Sequence, residues 1–168
     1  MKILISPAKK LDLSSEKTFL ENSTSVFSEK SKIIMNELSS YSALQLSKLM
    51  KISSNLGILN KERNDNWKFP FPKNESKQAL LSFKGEVYQN MKIDKFNKSD
   101  SEFANDKLRI LSGLYGMLKP SDLILPYRLE MGTKLKIGER NNLYDFWRKS
   151  ITSHLLNEIK EDKFLVNL

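Results

Sequence analysis

Residues 108–132, which read LRILSGLYGMLKPSDLILPYRLEMG, concentrate the residue types that could bind an anion. Three of the chain's six glycines and two of its five prolines fall in this stretch, so the backbone bends repeatedly there. Between residues 107 and 136, six cationic side chains outnumber two carboxylates, which favours an anionic ligand. These charged residues are Lys107, Arg109, Lys119, Arg128, Lys134 and Lys136 against Asp122 and Glu130.

Glycines and aromatic residues in the same stretch indicate how such a ligand could be held. Gly113 and Gly116 bracket a turn at which we expect the backbone to approach a ligand closely. The rings of Tyr115 and Tyr127 could stack on an unpaired or distorted base. Because Arg128 follows Tyr127 directly, a guanidinium stands beside one of these rings.

Composition limits the chemistry that the chain can perform. Its 168 residues fit one domain, and the formal net charge of +8 favours polyanionic partners, although it also fits a basic solvated surface. The absence of cysteine excludes disulfides, thiolate nucleophiles, iron–sulfur clusters and cysteine zinc sites. His154 is the only histidine, and we assign it a structural or surface role. We therefore predict no metal site and no cofactor.

The first apolar run, KILIS at residues 2–6, predicts a buried strand that ends before Pro7. The loop after it places Ser6, Lys9 and Asp12 at the carboxyl end of this strand, where open α/β sheets bind ligands. Lys9 is the candidate from this loop, although a surface lysine after a turn fits the local sequence as well.

Residues 42–63 predict two helices joined by a short connection. Ser42 and Gln45 have the spacing of a capping box. The line LMKISSNLGIL resembles the helix-hairpin-helix DNA-binding motif, with Lys51 and Ser53 where that motif carries glycines. A plain helical hairpin packed on the core remains the alternative. In either case we expect an apolar seam between the helices, formed by Leu46, Leu49, Ile52, Leu56 and Leu59.

The other elements complete a mixed α/β fold in which a central sheet is covered by helices. Helical spacing predicts helices at residues 26–38, 75–83 and 142–160, the last capped by Asn142. Ser99 and Glu102 predict a capping box for a short helix before the strand LRIL, and FLVNL at residues 164–168 predicts another strand. Since no signal peptide or apolar run of membrane-spanning length is found, we expect a cytoplasmic protein without a membrane partner.

Four sequence blocks resemble the YaaA-type peroxide-stress protein family and occur in that family's order. They are ISPAK at residues 5–9, SFKGEVY at 82–88, LSGLYG through PYRLEMG at 111–132, and NLYDFW at 142–147. The resemblance implies a family-specific fold with a positive cleft and a helix-hairpin-helix element. It also implies DNA binding that protects against hydrogen peroxide, and a link to limiting reactive iron. Because family members continue after a similar VNL, we expect this single domain to be an amino-terminal fragment of a longer one.

The resemblance also places Lys9 and Lys84 in the predicted cleft, because each belongs to one of the four blocks. We expect sequence-independent contacts to DNA, either duplex or distorted, with cationic side chains neutralising phosphates and tyrosines stacking on bases. The predicted contact residues are Lys9, Lys51, Ser53, Ser54, Lys84, Arg109, Lys119, Tyr115, Tyr127 and Arg128. The oligomeric state is left open.

Two other functions fit the same residues. The pocket of an enzyme could form from Glu130 beside Arg128 together with side chains of separate blocks, namely Ser6, Lys9, Lys84 and Tyr88. Such an enzyme would be a hydrolase or transferase acting on a phosphorylated or nucleic-acid substrate, although no known catalytic motif is present. The third possibility is a stress-induced scaffold whose basic face meets an acidic protein.

Overall fold

A four-stranded sheet lies at the centre of a computed structural model that describes residues 1–14, 17–160 and 164–168. In chain order, the strands are β1 (Lys2–Ile5), β2 (Lys10–Leu11), β3 (Lys77–Gln78), β4 (Phe83–Lys84), β5 (Leu108–Ser112), β6 (Gly116–Leu118), β7 (Leu123–Ile124) and β8 (Leu165–Asn167). The central sheet has the order β6-β5-β1-β8, with β1 parallel to both β5 and β8 and with β6 antiparallel to β5. The strands predicted in KILIS, LRIL and FLVNL are confirmed.

Helices pack around this sheet, which confirms the predicted mixed α/β class. They are α1 (Ser28–Ser39), α2 (Ala43–Met50), α3 (Ser54–Asn66), α4 (Ala79–Ser82), α5 (Glu86–Asn90), α6 (Lys98–Lys107) and α7 (Leu143–Glu158). Helix α6 packs against β1 and β5, α7 against β6, and α1 against α3. Every helix in the described part of the chain is too short or too polar to cross a membrane.

Side-chain caps fix several of the helix starts. The predicted capping box at Ser42 and Gln45 is present, and Asn142 caps α7 by accepting a hydrogen bond of 2.9 Å from the Asp145 amide. The cap predicted for α6 at Ser99 is wrong by two residues. Asn97 accepts from the Asp100 amide at 2.9 Å, because an asparagine followed three residues later by an aspartate satisfies the same free backbone donors.

The predicted helix at residues 75–83 is replaced by strand β3, the short helix α4 and strand β4. Gln78 pairs with Leu123 in an antiparallel ladder of β3 and β7, and its side chain bonds the Phe19 amide and the Leu20 carbonyl. Backbone pairing with a strand distant in sequence thus outweighs the helical preference indicated by the spacing of the apolar residues. Strands β2 and β4 form a second small ladder, in which Lys10 lies opposite Lys84.

The seam between α2 and α3 uses a different face of α3 from the one predicted. Leu46 is fully buried, but Leu56 and Leu59 are each 38% exposed, whereas Gly57 and Asn60 are buried. A Cβ atom on Gly57 would lie 2.0 Å from the Ser47 hydroxyl, so this glycine permits the close approach of the two helices. The smallest side chain, rather than the apolar ones, therefore determines which face of α3 meets α2.

Candidate functional site

A cleft of about 610 Å³ lies at the carboxyl edge of the parallel strands. Ser6 after β1, Leu111 in β5 and Asn167 in β8 form its floor, and the facing walls come from residues 127–132 and from α7. In open α/β sheets, ligands bind outside the carboxyl ends of the strands. The topology therefore makes this cleft the first candidate for a functional site.

A carboxylate between two cations defines the charge of the cleft. The Lys9 Nζ atom lies 2.9 Å from Glu130 Oε1, and Arg128 Nη2 lies 3.8 Å from the same oxygen. Arg148 of α7 also lines the cleft, with Nη2 4.0 Å from Asp145 Oδ1. Among the described lining residues, three cationic side chains thus outnumber one carboxylate, that of Glu130, which leaves the cleft attractive to an anion.

The LSGLYG segment packs against the residues that carry Glu130 into the cleft. A Cβ atom on Gly113 would lie 2.5 Å from the Leu129 carbonyl oxygen, so the segment that carries Glu130 packs directly on this glycine. Gly116 has a φ of +72° and faces the Trp147 ring, and the Trp147 Nε1–H donates to the Gly113 carbonyl at 2.9 Å. The prediction that these glycines approach a ligand is corrected, because the protein's own backbone and ring fill the space.

Tyr115 and Tyr127 also support the cleft from within the protein. Tyr115 is fully buried, and its hydroxyl accepts from Trp67 Nε1 at 3.0 Å and from the Leu125 amide at 3.0 Å. The Tyr127 hydroxyl shares a hydrogen bond of 2.7 Å with Ser112, and only 5% of the residue is exposed. Burial raises the pKa of both phenols. Tyr115 has no exposed surface for the predicted base stacking, and the 5% of Tyr127 that is exposed is too small an area to hold a base.

Arg109 is buried away from the cleft. Its Nε and Nη2 atoms each lie 2.8 Å from a carboxylate oxygen of Glu158, and Nη1 donates to the backbone carbonyls of Asn105, Asp106 and Leu108. Only 3% of Arg109 is exposed. Because this guanidinium is buried and bonded to protein groups, Arg109 does not reach a phosphate in the cleft.

Lys84 and Lys119 lie outside the cleft as well. Lys84 lines a separate cavity beside Tyr88, and its Nζ is 3.9 Å from Asp12 Oδ2. Lys119 is exposed and follows β6, which runs antiparallel to β5 and therefore ends at the opposite edge of the sheet. Of the predicted DNA-contact residues, Lys9, Tyr127 and Arg128 line the cleft, and Ser6 and Glu130 from the predicted enzyme pocket line it as well.

Comparison with known proteins decides the family. The model of the family described as peroxide stress protein YaaA matches residues 1–168. The chain belongs to this family. Its resemblance to YaaA-type proteins, read from four sequence blocks, is thereby confirmed.

Several curated relatives in this family are named only as UPF0246 proteins. One from Clostridium botulinum (strain Eklund 17B) is 45% identical over 170 residues, which cover 100% of this chain and 65% of the relative. One from Flavobacterium johnsoniae is 41% identical over 168 residues, covering 100% and 67%. One from Acaryochloris marina is 50% identical over 135 residues, covering 80% and 54%. The chain thus spans about 65% of the length of the first of these family members.

The connection between α2 and α3 presents the other predicted contacts of this YaaA-family chain to solvent. Lys51 adopts the left-handed conformation, with φ 52° and ψ 52°, and Ser53 caps α3 by accepting from the Leu56 amide at 3.4 Å. Lys51, Ser53 and Ser54 are all exposed. The geometry is that of a tight helical hairpin, and contact with DNA there stays a prediction.

Two arginines near the site were not selected from the sequence. Arg148 follows Trp147 on α7 and lines the cleft, while Arg63 on α3 lines a smaller cavity with Trp67, Leu125 and Pro126. Arg148 directly follows the NLYDFW block, and its position next to one of the four family blocks could have marked it as a candidate site residue. For Arg63 the sequence offered only a basic residue type on a predicted helix.

Residues 1–14, 17–160 and 164–168 contain no group of three or more histidine, aspartate or glutamate side chains that could hold a metal ion. His154 stacks edge-on against Phe27, with ring centroids 5.5 Å apart, and its Nε2 lies 3.5 Å from Glu158 Oε1. This histidine therefore belongs to the packing between α7 and the residue preceding α1.

Proposed function

We propose that this YaaA-family protein binds DNA in the cytoplasm by sequence-independent phosphate contacts and so protects DNA during peroxide stress. The link to limiting reactive iron belongs to the same proposal. The observation that carries it is the convergence of Lys9, Arg128 and Arg148, from three distant parts of the chain, in one cleft. A formal charge of +8 adds a long-range attraction for a polyanion.

The α2–α3 hairpin supplies a second part of the proposed interface. Exposed backbone N–H groups at the start of α3, the hydroxyls of Ser53 and Ser54, and the Lys51 ammonium can all donate to phosphate oxygens. None of these groups reads a base edge, so the contacts would hold DNA without selecting its sequence. Affinity should then depend steeply on salt, because each neutralised phosphate releases condensed counterions.

Fluorescence anisotropy with a labelled duplex at several salt concentrations tests this proposal. We expect a log-linear loss of affinity with salt, and a slope that becomes shallower by about one for each lost phosphate contact. Lys9→Gln, Arg128→Gln and Lys51→Gln should each show this change. Lys98→Gln is the matched control, because it removes the same charge from a side chain that is 86% exposed at the start of α6.

Two results would contradict DNA binding. The first is a wild-type protein with no measurable duplex affinity at low salt. The second is a set of cleft and hairpin variants that cannot be told apart from Lys98→Gln, since binding would then reflect net charge rather than a site.

A second candidate function is an enzyme acting on a phosphorylated or nucleic-acid substrate in the same cleft. The position of Glu130 favours it, because a carboxylate held by Lys9 and Arg128 can exchange protons beside an anion that those cations bind. Trp147 and Ile151 add an apolar wall that would exclude water. Release of inorganic phosphate from phosphoesters, or of new ends from an oligonucleotide, would identify a hydrolase, and Glu130→Gln should abolish that release.

A further inference from the structure

One face of α7 lines the cleft with three apolar or aromatic side chains, those of Tyr144, Trp147 and Ile151. Their spacing of three and four residues places them side by side on the helix, so they form one wall of the cleft. Trp147 is 1% exposed, but Tyr144 is 57% exposed, which makes the Tyr144 ring accessible to a ligand. This ring can provide the stacking surface that the buried Tyr115 and Tyr127 cannot.

The segment that faces α7, together with Lys9, brings positive charge to the other side of the cleft. Lys9 Nζ and Arg128 Nη2 approach the same oxygen atom, Glu130 Oε1, at 2.9 Å and 3.8 Å. The two cations therefore lie close enough together to bind one anionic oxygen. Because the Lys9 and Glu130 side chains are 64% and 49% exposed, their ion pair is weak, and an oxygen of a phosphate can replace the carboxylate oxygen.

Polar side chains and the size of the cleft narrow the choice of ligand further. Ser6, Thr152 and Asn167 line the cleft and are exposed. Their hydroxyl and amide groups both donate and accept hydrogen bonds, as the edge of a nucleobase requires. The volume of about 610 Å³ lies within the range of about 300–1,000 Å³ that is typical of small-molecule sites. A ligand with a flat ring, a polar ring edge and one phosphate matches all of these groups.

We propose that the cleft holds one nucleotide, with its base against Tyr144 and its phosphate between Lys9 and Arg128. The inference rests on the proposed function for its phosphate contacts and adds recognition of a base. A paired nucleotide cannot bind in this way, because its base is stacked inside the duplex. A free nucleoside monophosphate and an unpaired nucleotide of a DNA strand both present the required base and phosphate, and binding assays distinguish these two sources.

Isothermal titration calorimetry with deoxyadenosine monophosphate tests whether base and phosphate are both recognised. At matched ionic strength, we expect weaker binding of deoxyribose phosphate, which lacks the base, and of deoxyadenosine, which lacks the phosphate. Inorganic phosphate should bind no more tightly than deoxyribose phosphate does. If the nucleotide binds and deoxyribose phosphate binds equally well, the cleft recognises an anion only, and the inference is overturned.

Two variants separate the base from the phosphate. Tyr144→Ala should lower the affinity for the nucleotide by about 5- to 150-fold, the loss expected for one stacked base, and should leave the affinity for deoxyribose phosphate unchanged. Phe103→Ala is the matched control, because it removes an aromatic ring that is 60% exposed from α6 rather than from the cleft. Lys9→Gln should weaken both phosphate ligands by about fivefold relative to Lys98→Gln.

A duplex with a central bubble of unpaired bases, compared with the fully paired duplex, identifies the source of the nucleotide. If Tyr144→Ala weakens binding of the bubble more than binding of the paired duplex, the cleft takes a nucleotide of the strand. If it weakens binding of the free nucleotide alone, the ligand is a free nucleotide.

The same measurements separate this inference from DNA binding as such. If Tyr144→Ala matches Phe103→Ala with every ligand, the nucleotide site is refuted, and duplex binding with a log-linear salt dependence would leave the proposed function standing. If the free nucleotide binds through Tyr144 and no DNA binds, the nucleotide site stands and DNA binding fails.

Discussion

Arg109 and Glu158 form a buried bidentate ion pair, with both nitrogen–oxygen contacts at 2.8 Å. The pair joins strand β5 to the last residue of α7, and the two side chains are 3% and 15% exposed. Because Arg109 lies in β5 and Glu158 lies in α7, their ion pair holds α7 against the sheet. The cleft depends on that placement, since α7 forms one of its walls.

Replacement of Glu158 by alanine should destabilise the fold by about 3–5 kcal/mol, because it leaves the buried Arg109 charge without its partner. Urea unfolding monitored by circular dichroism measures this change. Glu102→Ala is the control, as its carboxylate is 58% exposed and lies 3.8 Å from Lys98. Equal stability of the two variants would show that the Arg109 pair contributes no more than a surface contact.

Stability should also fall in acid through Glu158. Burial alone would raise the pKa of Glu158, but the hydrogen bond and charge of Arg109 outweigh it, so the pKa is lower in the folded protein than in the unfolded chain. Its contribution is therefore present above the unfolded pKa of about 4.3 and is lost as the pH falls through the lowered value. Unfolding free energies measured from pH 6 to pH 3 should decline less steeply for Glu158→Gln.

In the Glu158→Gln variant, Asp106 should still cause part of the loss of stability in acid. Hydrogen bonds from Lys107 and Lys2 lower the pKa of Asp106 to about 2. The sign is the same as for Glu158, since a lowered carboxylate pKa adds stability that acid removes. Only the combined change of Asp106→Asn and Glu158→Gln should flatten the profile, and a profile already flat in the single Glu158 variant would contradict this division.

Glu130→Gln separates binding from catalysis. The change frees Lys9 and Arg128 from an exposed ion pair that contributes about 0.2–1 kcal/mol, so duplex affinity should rise by up to about fivefold. An enzyme that uses Glu130 as its proton acceptor would instead lose turnover. Anisotropy and product-release assays on the same preparation decide between these outcomes, and an unchanged affinity would show that Glu130 does not compete with phosphate.

Lys51→Gly should stabilise the protein while weakening its binding of DNA. Lys51 occupies the left-handed region at φ 52°, where glycine avoids the clash of a Cβ atom, and the expected gain is about 1 kcal/mol. Lys92→Gly is a matched control, because Lys92 has φ 51° and is also exposed. Both variants should melt higher, but only Lys51→Gly should lose duplex affinity. Equal affinity of the two variants would exclude Lys51 from the interface.

Gly57→Ala should disturb the α2–α3 hairpin. The added Cβ atom would meet the Ser47 hydroxyl at 2.0 Å and the Ala43 carbonyl at 2.5 Å, so the helices must separate at a cost of about 1–3 kcal/mol. Gly132→Ala is the control, since nothing lies within 4 Å of a Cβ atom at that position. Thermal unfolding of the two variants measures the difference. A Gly57→Ala variant as stable as Gly132→Ala would mean that the helices are not held in this close contact.

Local sequence signals determined those features whose causes are local. The strands β1 and β5 follow from short apolar runs, and the caps at Ser42 and Asn142 follow from side chains that bond backbone groups three residues away. The family followed from long unusual blocks of sequence. Lys9 could also be predicted to lie at a ligand-binding edge, because the loop that carries it follows β1, a parallel strand of the central sheet.

Tertiary structure alone decided which basic and aromatic side chains face solvent. Arg109 and Arg128 are the same residue type in one basic stretch, yet Arg109 meets Glu158, which is 49 residues away in sequence, and Arg128 reaches the cleft. Tyr115 is closed in by Trp67, and Gly57 turns α3 so that its leucines face outward. The physical reason is that packing partners distant in sequence set the direction of each side chain, and spacing along the chain carries no information about those partners.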